Sequence, residues 1–292
     1  MRTITLCPAC GEDCSEVVAW LDAQRAERFA KFDHRKYDGL LSEWINEVPP
    51  VVSRCHTCGH VWYRYQPEPE QLEQMYATGQ PLMDAARVTR EPTDLMRNEM
   101  RRLWKLLGDL TASAALLDFG SGRGQWARAA VGEGFRVVAY EPSVKRSSET
   151  DAPFELIHDL SSLKNMTFDV ILLEQVLEHV PNPLQTLLNI KQFCHDETIL
   201  RMTVPNLLRC KEGKNIWHEW PFNLSRVHIM APFEHLHGFT LFSLIRLSKR
   251  AGYRRLPLNV LWKHYPILSI RKLVSHVYPK ASQTIMLAKL AI

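Results

Sequence analysis

The sequence predicts an α/β chain: a mostly parallel sheet with helices on both faces, preceded by a small cysteine-bearing module. Three observations carry this. From residue 114 onward, apolar runs of strand length alternate with stretches of helical composition, the pattern of a parallel sheet. A glycine-rich turn, Gly120-Ser121-Gly122-Arg123-Gly124, joins the first such run to a helix. Two Cys-x-x-Cys-Gly phrases, at Cys7/Cys10 and Cys55/Cys58, stand ahead of that run.

Taken in order, residues 114–117 form the first strand and lead into Asp118. The glycines suit a turn where the backbone takes φ > 0 or where a ligand touches the main chain. Residues 125–131 read as a helix and 135–140 as a second strand, closed by Glu141-Pro142. An acid at that strand end can accept hydrogen bonds from both hydroxyls of a ribose. The turn reads G-x-G-x-G with Gln125 after it, whereas a dinucleotide site wants G-x-G-x-x-G. Residues 154–157 form a third strand, followed by His158-Asp159-Leu160. Residues 168–174 form a fourth, apolar over most of its length as a strand covered on both faces should be. Beyond it the reading is helix 183–193, strand 198–204, an irregular stretch with Trp217, His218, Trp220, His228, His235 and His237, and helix 242–251. Strands 256–261 and 284–291 close the chain as an antiparallel pair.

This order of segments resembles the class I S-adenosylmethionine-dependent methyltransferases, which have a Rossmann-like seven-stranded sheet. The phrase from Phe168 to Pro183, F-D-V-I-x-x-x-x-V-L-E-H-V-x-x-P, resembles the fourth motif and following helix of bacterial small-molecule methyltransferases. The resemblance implies S-adenosylmethionine as cofactor. Asp118, Gly120, Ser121, Gly122 and Gly124 would cradle its methionine part. Glu141 and Pro142 would lie at the ribose, Asp159 and Leu160 at the adenine, and Glu174 at the end of the fourth strand beside the cofactor.

The two cysteine pairs can supply four thiolates, a set that suits tetrahedral Zn²⁺. Cys7, Cys10, Cys55 and Cys58 are the expected ligands. Between Cys10 and Cys55 lie 44 residues, so the insertion must fold on its own account. Residues 16–32 are expected to be helical, and 51–52 and 61–63 to be strands beside the second knuckle. Cys14, Cys194 and Cys210 have no ligand spacing and read as inert thiols. His56 and His60 are redundant once four sulfurs are present.

The domains expected are a zinc-ribbon-like module over 1–66, a helical linker and cofactor lid over 67–110, and the methyltransferase domain over 111–292. Within the linker, Tyr76 is the polar aromatic placed to reach the pocket. An apolar content of 46% with 23% charged residues fits an ordinary globular chain. No apolar run reaches the length of a bilayer span and no secretory signal is evident, so the cytoplasm is the expected compartment. The net charge is +4, and no Asp or Glu follows Glu234 while ten Lys and Arg do. Arg246, Lys249, Arg250, Arg254 and Arg255 form either a solvated helix face or a surface for an acidic partner, such as a phosphate-bearing acceptor.

Joining two such knuckles to this core resembles the zinc-containing sugar C-methyltransferases and their shorter relatives. The phrase Phe233-Glu234-His235-Leu236 is similar to that group's catalytic Glu-His pair, and His179 matches a second active-site histidine. The resemblance implies His179, Glu234 and His235 as catalytic residues and a sugar-nucleotide or glycan-type acceptor. Pro232 stands where the group has a tyrosine. Glu178-His179 also resembles the E-x-x-E-H metal motif of quinone-biosynthesis O-methyltransferases, but Gln175 replaces its first acid, and no metal is expected there. Two other readings stand beside this one. An RNA methyltransferase would use the basic C-terminal excess, although the zinc module is not basic, with Glu12, Asp13, Glu16, Asp22 and Glu27 crowding its first half. A non-catalytic scaffold would have no need of the intact Asp118, glycine and Glu141 set.

Overall fold

The computed structural model describes residues 1–78, 91–108, 114–144, 152–207, 229–257 and 283–290, with 220, 222–223, 226–227 and 259. The N-terminal part holds strands Arg2–Thr3 (β1), Ser15–Trp20 (β2), Val51–Cys55 (β3), Val61–Tyr63 (β4) and Tyr65–Gln66 (β5), with helices Ala23–Tyr37 (α1) and Leu40–Glu47 (α2). Helices Pro69–Thr78 (α3) and Asp94–Leu107 (α4) follow. Then come Ala115–Phe119 (β6), Gln125–Gly132 (α5), Arg136–Tyr140 (β7), Glu155–Ile157 (β8), Phe168–Glu174 (β9), Pro183–Ile190 (α6) and Cys194–Pro205 (β10). Short strands Phe222–Asn223 (β11), Arg226–Val227 (β12) and His237–Gly238 (β13) precede Leu241–Arg250 (α7), Tyr253–Arg255 (β14) and Gln283–Leu290 (β15).

Seven strands form the main sheet in the order β14-β15-β10-β9-β6-β7-β8. Strands β8, β7, β6, β9 and β10 run parallel, and β15 is antiparallel to both β10 and β14. Alternate residues of β6 and β9 feed the cores on its two faces. Leu117, Ile171 and Leu173 join one core, and Leu116, Val170 and Leu172 the other. Both faces of these central strands are therefore dry, as the apolar runs predicted. The strand order reverses between β6 and β9, and that reversal opens a crevice at their C-terminal ends, where open α/β sheets bind ligands.

A second sheet, β13-β4-β3-β2, belongs to the N-terminal part. Its edge strand β13 comes from far along the chain, with His237 opposite Trp62 and Gly238 opposite Val61. Pairing thus crosses the boundary expected near residue 66. The apolar packing crosses it too, since Cys7, Ala9, Cys58 and Trp62 share one core with Phe239, Leu244 and Leu247.

Two expected elements are corrected. Residues 16–32 are not one helix. Ser15–Trp20 is a strand paired with Val51–Cys55, and the helix begins at Ala23, where Asp22 accepts a hydrogen bond from Arg25 N at 2.9 Å. Val17 and Val18 are β-branched and fit a pleated surface, so cross-strand pairing overrides the helical spacing. The strand expected over 256–261 is instead Tyr253–Arg255. Pro257 lacks the N–H a ladder needs, while 258, 260 and 261 lie outside the described residues. Residues 283–290 match the expected last strand to within one residue. Cys210, Trp217, His218 and His228 also lie outside the described residues.

One buried cation binds the layers together. Arg201, on β10, is almost fully buried. Its Nε donates to Glu99 of α4 at 3.3 Å and its Nη1 to Glu174 at the end of β9, while the guanidinium lies 4.6 Å from the ring centre of Trp126 on α5. Removing it takes this cation from Glu174 and leaves Glu99 to Arg102, 3.3 Å away. Arg201→Ala is expected to cost about 3–5 kcal/mol, the scale for breaking a buried pair, in urea unfolding. A loss below about 1 kcal/mol, the ceiling for an exposed pair, would contradict this account.

Candidate active site

The glycine loop closes against the end of β7. Backbone N–H groups of Gly120 and Ser121 both donate to the Tyr140 carbonyl, at 2.8 and 2.9 Å. Gly124 precedes α5 as its N-cap residue. Gly122 has φ +56°, and a Cβ placed there would meet no atom of the described residues within 4 Å. The backbone therefore borders open space at that point. Glu141, at the end of β7, is buried, and its two carboxylate oxygens accept from Gly122 N at 2.8 Å and Ser143 N at 3.0 Å. The acid expected at a ribose thus also pins the glycine loop. Pro142 beside it is exposed.

Asp159 is exposed at the end of β8 and caps the turn Leu160–Leu163, with Oδ1 accepting from Ser161 N at 2.9 Å. Leu160 packs against the core. The neighbouring His158 donates from Nδ1 to the Glu141 carbonyl at 2.7 Å and so ties the ends of β7 and β8 together. Glu174 faces Arg201, as described. Asp118 lies on β6 and is buried, and burial, aided by the Glu174 carboxylate, pushes its carboxyl up to about 7. Its Oδ2 and the Ser121 hydroxyl are buried without a hydrogen-bond partner. Orphan polar atoms in a folded interior call for an occupant. Two of them beside open room at Gly122 fit a polar cofactor.

Beyond β9, two imidazoles meet. His179 and His235 pack edge to face, with ring centres 4.6 Å apart. His179 donates from Nδ1 to the Glu234 carbonyl at 2.6 Å, and His235 from Nδ1 to the Ile229 carbonyl at 2.7 Å. In the neutral rings these bonds place the lone pair on Nε2 in each. Burial lowers the pKa of His235 and outweighs the opposite pull of Glu234. The Glu234 carboxylate accepts from Lys36 and from the Tyr37 hydroxyl, both of the N-terminal module. Phe233, just before it, is held at φ 64°, a strained conformation for a large side chain. Beneath the imidazoles lies Glu178, fully buried, with both carboxylate oxygens unpartnered and its pKa pushed up to about 8 by burial.

The four knuckle cysteines converge. Cys7 Sγ lies 3.6 Å from Cys58 Sγ, and Cys10 Sγ lies 3.6 Å from Cys55 Sγ. All four sulfurs fall within 4.8 Å of one another. A tetrahedral zinc with Zn–S near 2.3 Å needs edges of about 3.8 Å, so the set fits that ion. Gly11 N and Gly59 N close the two knuckles on the carbonyls of Cys7 and Cys55. Cys14, expected to be inert, stands 3.8 Å from Cys55 Sγ and 2.9 Å from the Thr57 hydroxyl. Arg250 of the basic cluster donates to the carbonyls of Pro8 and Ala9, so it braces the first knuckle. His60 and His237 are both buried, 3.2 Å apart between Nε2 and Nδ1, and His237 is held down to about 3 by burial. They form a structural pair.

Sequence reasoning missed Lys36, Tyr37, Glu99 and Arg201. Of these only Arg201 left a signal, a lone charge inside an apolar strand. Tyr76, expected near the pocket, packs in the cluster that holds Phe233 and Leu236.

Comparison with known proteins gives one family. The family model described as a methyltransferase domain matches residues 93–258. No curated protein sequence matches the chain. Among solved structures, the calicheamicin-biosynthesis methyltransferase CalO1 in its SAH-bound form is 16% identical, with a TM-score of 0.43, over 68% of this chain and 54% of that one. This chain thus spans about half of that relative's length. A SAM-dependent methyltransferase from Archaeoglobus fulgidus is 17% identical, with a TM-score of 0.43, over 70% and 95%. The plantazolicin methyltransferase BpumL with a pentazolic analog and SAH is 13% identical, with a TM-score of 0.49, over 77% and 92%. Likenesses this distant carry nothing about the acceptor.

The buried Asp118 makes stability depend on pH. Its folded pKa of about 7 exceeds the value near 4 of an unfolded aspartate. Between those values the folded state holds a proton that the unfolded state releases, so this contribution is present below pH 4 and is lost as pH rises through 7. In the cofactor-free protein, the urea midpoint of Asp118→Asn is expected to fall less than that of the wild type between pH 5 and pH 8. Equal falls would show that Asp118 ionises normally.

Proposed function

The chain belongs to the methyltransferase family, and from that premise we propose that it transfers a methyl group from S-adenosylmethionine to a small-molecule acceptor, a sugar nucleotide or glycan-type substrate. One observation carries the cofactor assignment. Asp118 Oδ2 and Ser121 Oγ lie unpartnered at the crevice where the strand order reverses, beside open space at Gly122. Bound there, S-adenosylmethionine would supply a methyl group carried on its sulfonium sulfur. Glu141 holds the glycine loop in shape and has lone pairs left for ribose hydroxyls. Asp159 and Leu160 lie at the adenine end, and Asp118 with the glycines at the methionine end. The acceptor reading rests on the paired knuckles and the Phe233-Glu234-His235-Leu236 phrase. His179 and His235 stand past the end of β9, where the acceptor would meet the methyl group. Alignment of donor and acceptor supplies most of the rate gain in such a displacement.

The cysteine cluster is proposed to hold one structural Zn²⁺ through Cys7, Cys10, Cys55 and Cys58. All four positions would be filled by protein, which leaves none for chemistry. Because β13 pairs with β4, zinc would also steady the segment that carries Glu234 and His235.

Gly122→Val is expected to abolish S-adenosylmethionine binding in calorimetry while zinc content stays at one per chain. Its side chain would fill the open space and strain a positive φ. Normal affinity in this variant would refute the loop assignment. Glu141→Ala should weaken the cofactor by about 1.5–3 kcal/mol, the scale for hydrogen bonds to a charged group. An unchanged dissociation constant would move the ribose elsewhere. Elemental analysis of freshly purified protein should find one zinc, lost in Cys55→Ser; protein free of zinc would overturn the metal assignment.

A further inference from the structure

Outside the cysteine cluster, one further set of metal-capable side chains comes together among the described residues. Glu178, His179 and His235 each offer a ligand atom, and these atoms lie within 4.8 Å of one another. His179 Nε2 is 3.9 Å from Glu178 Oε1. Two ligands each about 2.1 Å from one ion stand at most about 4.2 Å apart, so the 3.9 Å pair lies within reach of one ion and the set would draw in slightly around it. We propose that these three residues bind one divalent first-row metal ion through Glu178 carboxylate oxygen, His179 Nε2 and His235 Nε2.

Four features support the site. The donor set is two imidazoles and one carboxylate, which suits Mn²⁺, Fe²⁺ or Co²⁺ and leaves coordination positions open. Both imidazoles donate their Nδ1–H to a backbone carbonyl, His179 to Glu234 and His235 to Ile229. That arrangement fixes the tautomer and aims Nε2 as a ligand, as metal-binding histidines characteristically require. Glu178 is fully buried with neither oxygen hydrogen-bonded, a costly state for a carboxylate unless a cation or proton answers it. The backbone holds the set in place, because Leu236 N and His237 N donate to the Glu178 carbonyl at 2.7 and 3.1 Å. Sequence spacing had set the site aside because Gln175 occupies the first position of the E-x-x-E-H pattern. The third ligand comes instead from a segment more than fifty residues away in the chain.

The role, though not the site, rests on the methyl-transfer reading. An ion with open positions past the end of β9 would polarise an acceptor hydroxyl. The hydroxyl proton passes to water, the oxygen takes the methyl carbon, and the C–S bond of the sulfonium breaks to leave a neutral thioether.

The test uses the full-length, zinc-loaded protein and Mn²⁺, which oxygen and nitrogen donors hold in preference to a thiolate cluster. Electron paramagnetic resonance should count one bound Mn²⁺ per chain. Glu178→Gln and His235→Ala should each weaken it at least tenfold, with zinc content and S-adenosylmethionine affinity retained as the check on folding. His56→Ala, an exposed imidazole beside the second knuckle, should leave it unchanged. If either variant fails to fold, the other together with the visible spectrum of Co²⁺ added to the wild type decides. No ion bound beyond the zinc, or binding that survives both variants, would overturn the site. Mn²⁺ bound without any S-adenosylmethionine binding would sink the methyl-transfer reading and leave the metal site standing.

Discussion

The carbonyl oxygen of Glu178 accepts two backbone N–H groups, from Leu236 and His237, and the ring of His179 donates to the carbonyl of Glu234. These three bonds fasten residues 229–238 to the end of the fourth parallel strand. Much of the remaining architecture depends on them. The same segment supplies β13 to the N-terminal sheet, presents Glu234 to Lys36 and Tyr37, and positions His235 through the Ile229 carbonyl. Tyr63 and Trp220 close over it from the other side, both donating to the Met230 carbonyl. The cysteine knuckles are thus joined to the crevice at the sheet edge by a shared sheet, a shared core and a shared loop.

Buried charge follows a second constraint. Arg201 pairs with Glu99 and Glu174, so β10 can carry a charge within its buried apolar run. Among the described residues, Asp118 and Glu178 make no ion pair with an Arg or Lys, and burial raises both pKa values. They lie at the two functional ends of the crevice, one by the glycine loop and one beneath the imidazoles. Unsatisfied carboxylates at those places are costs that a bound cofactor or cation would remove.

The parallel core was legible in the sequence because its signals are local. Glycines, an acid at a strand end and apolar runs of strand length each report on a few adjacent residues. The strands follow from them, while the order β8-β7-β6-β9-β10 is set by pairing between distant segments. Residues 16–32 were misread because the apolar spacing there fits a helix, while the pairing of Ser15–Trp20 with Val51–Cys55 is decided by residues more than thirty positions away. The strand before the last is expected too late in the chain for a related reason, since Tyr253–Arg255 carries two arginines and does not look apolar. At the candidate site, the structure brings together the four cysteines and the two imidazoles, His179 and His235, that the sequence singles out. What Glu234 does was not. Its partners Lys36 and Tyr37 lie about two hundred residues earlier, and no spacing rule reaches that far.

A crystal structure with S-adenosylhomocysteine tests the central claim most directly. The account predicts the ligand at the C-terminal ends of β6 and β7, with the ribose hydroxyls on Glu141, the amino-acid end at Asp118 and Gly122, and the sulfur turned toward His179 and His235. A ligand bound elsewhere, or a crevice that stays empty at saturating ligand in crystals and in solution, would contradict it.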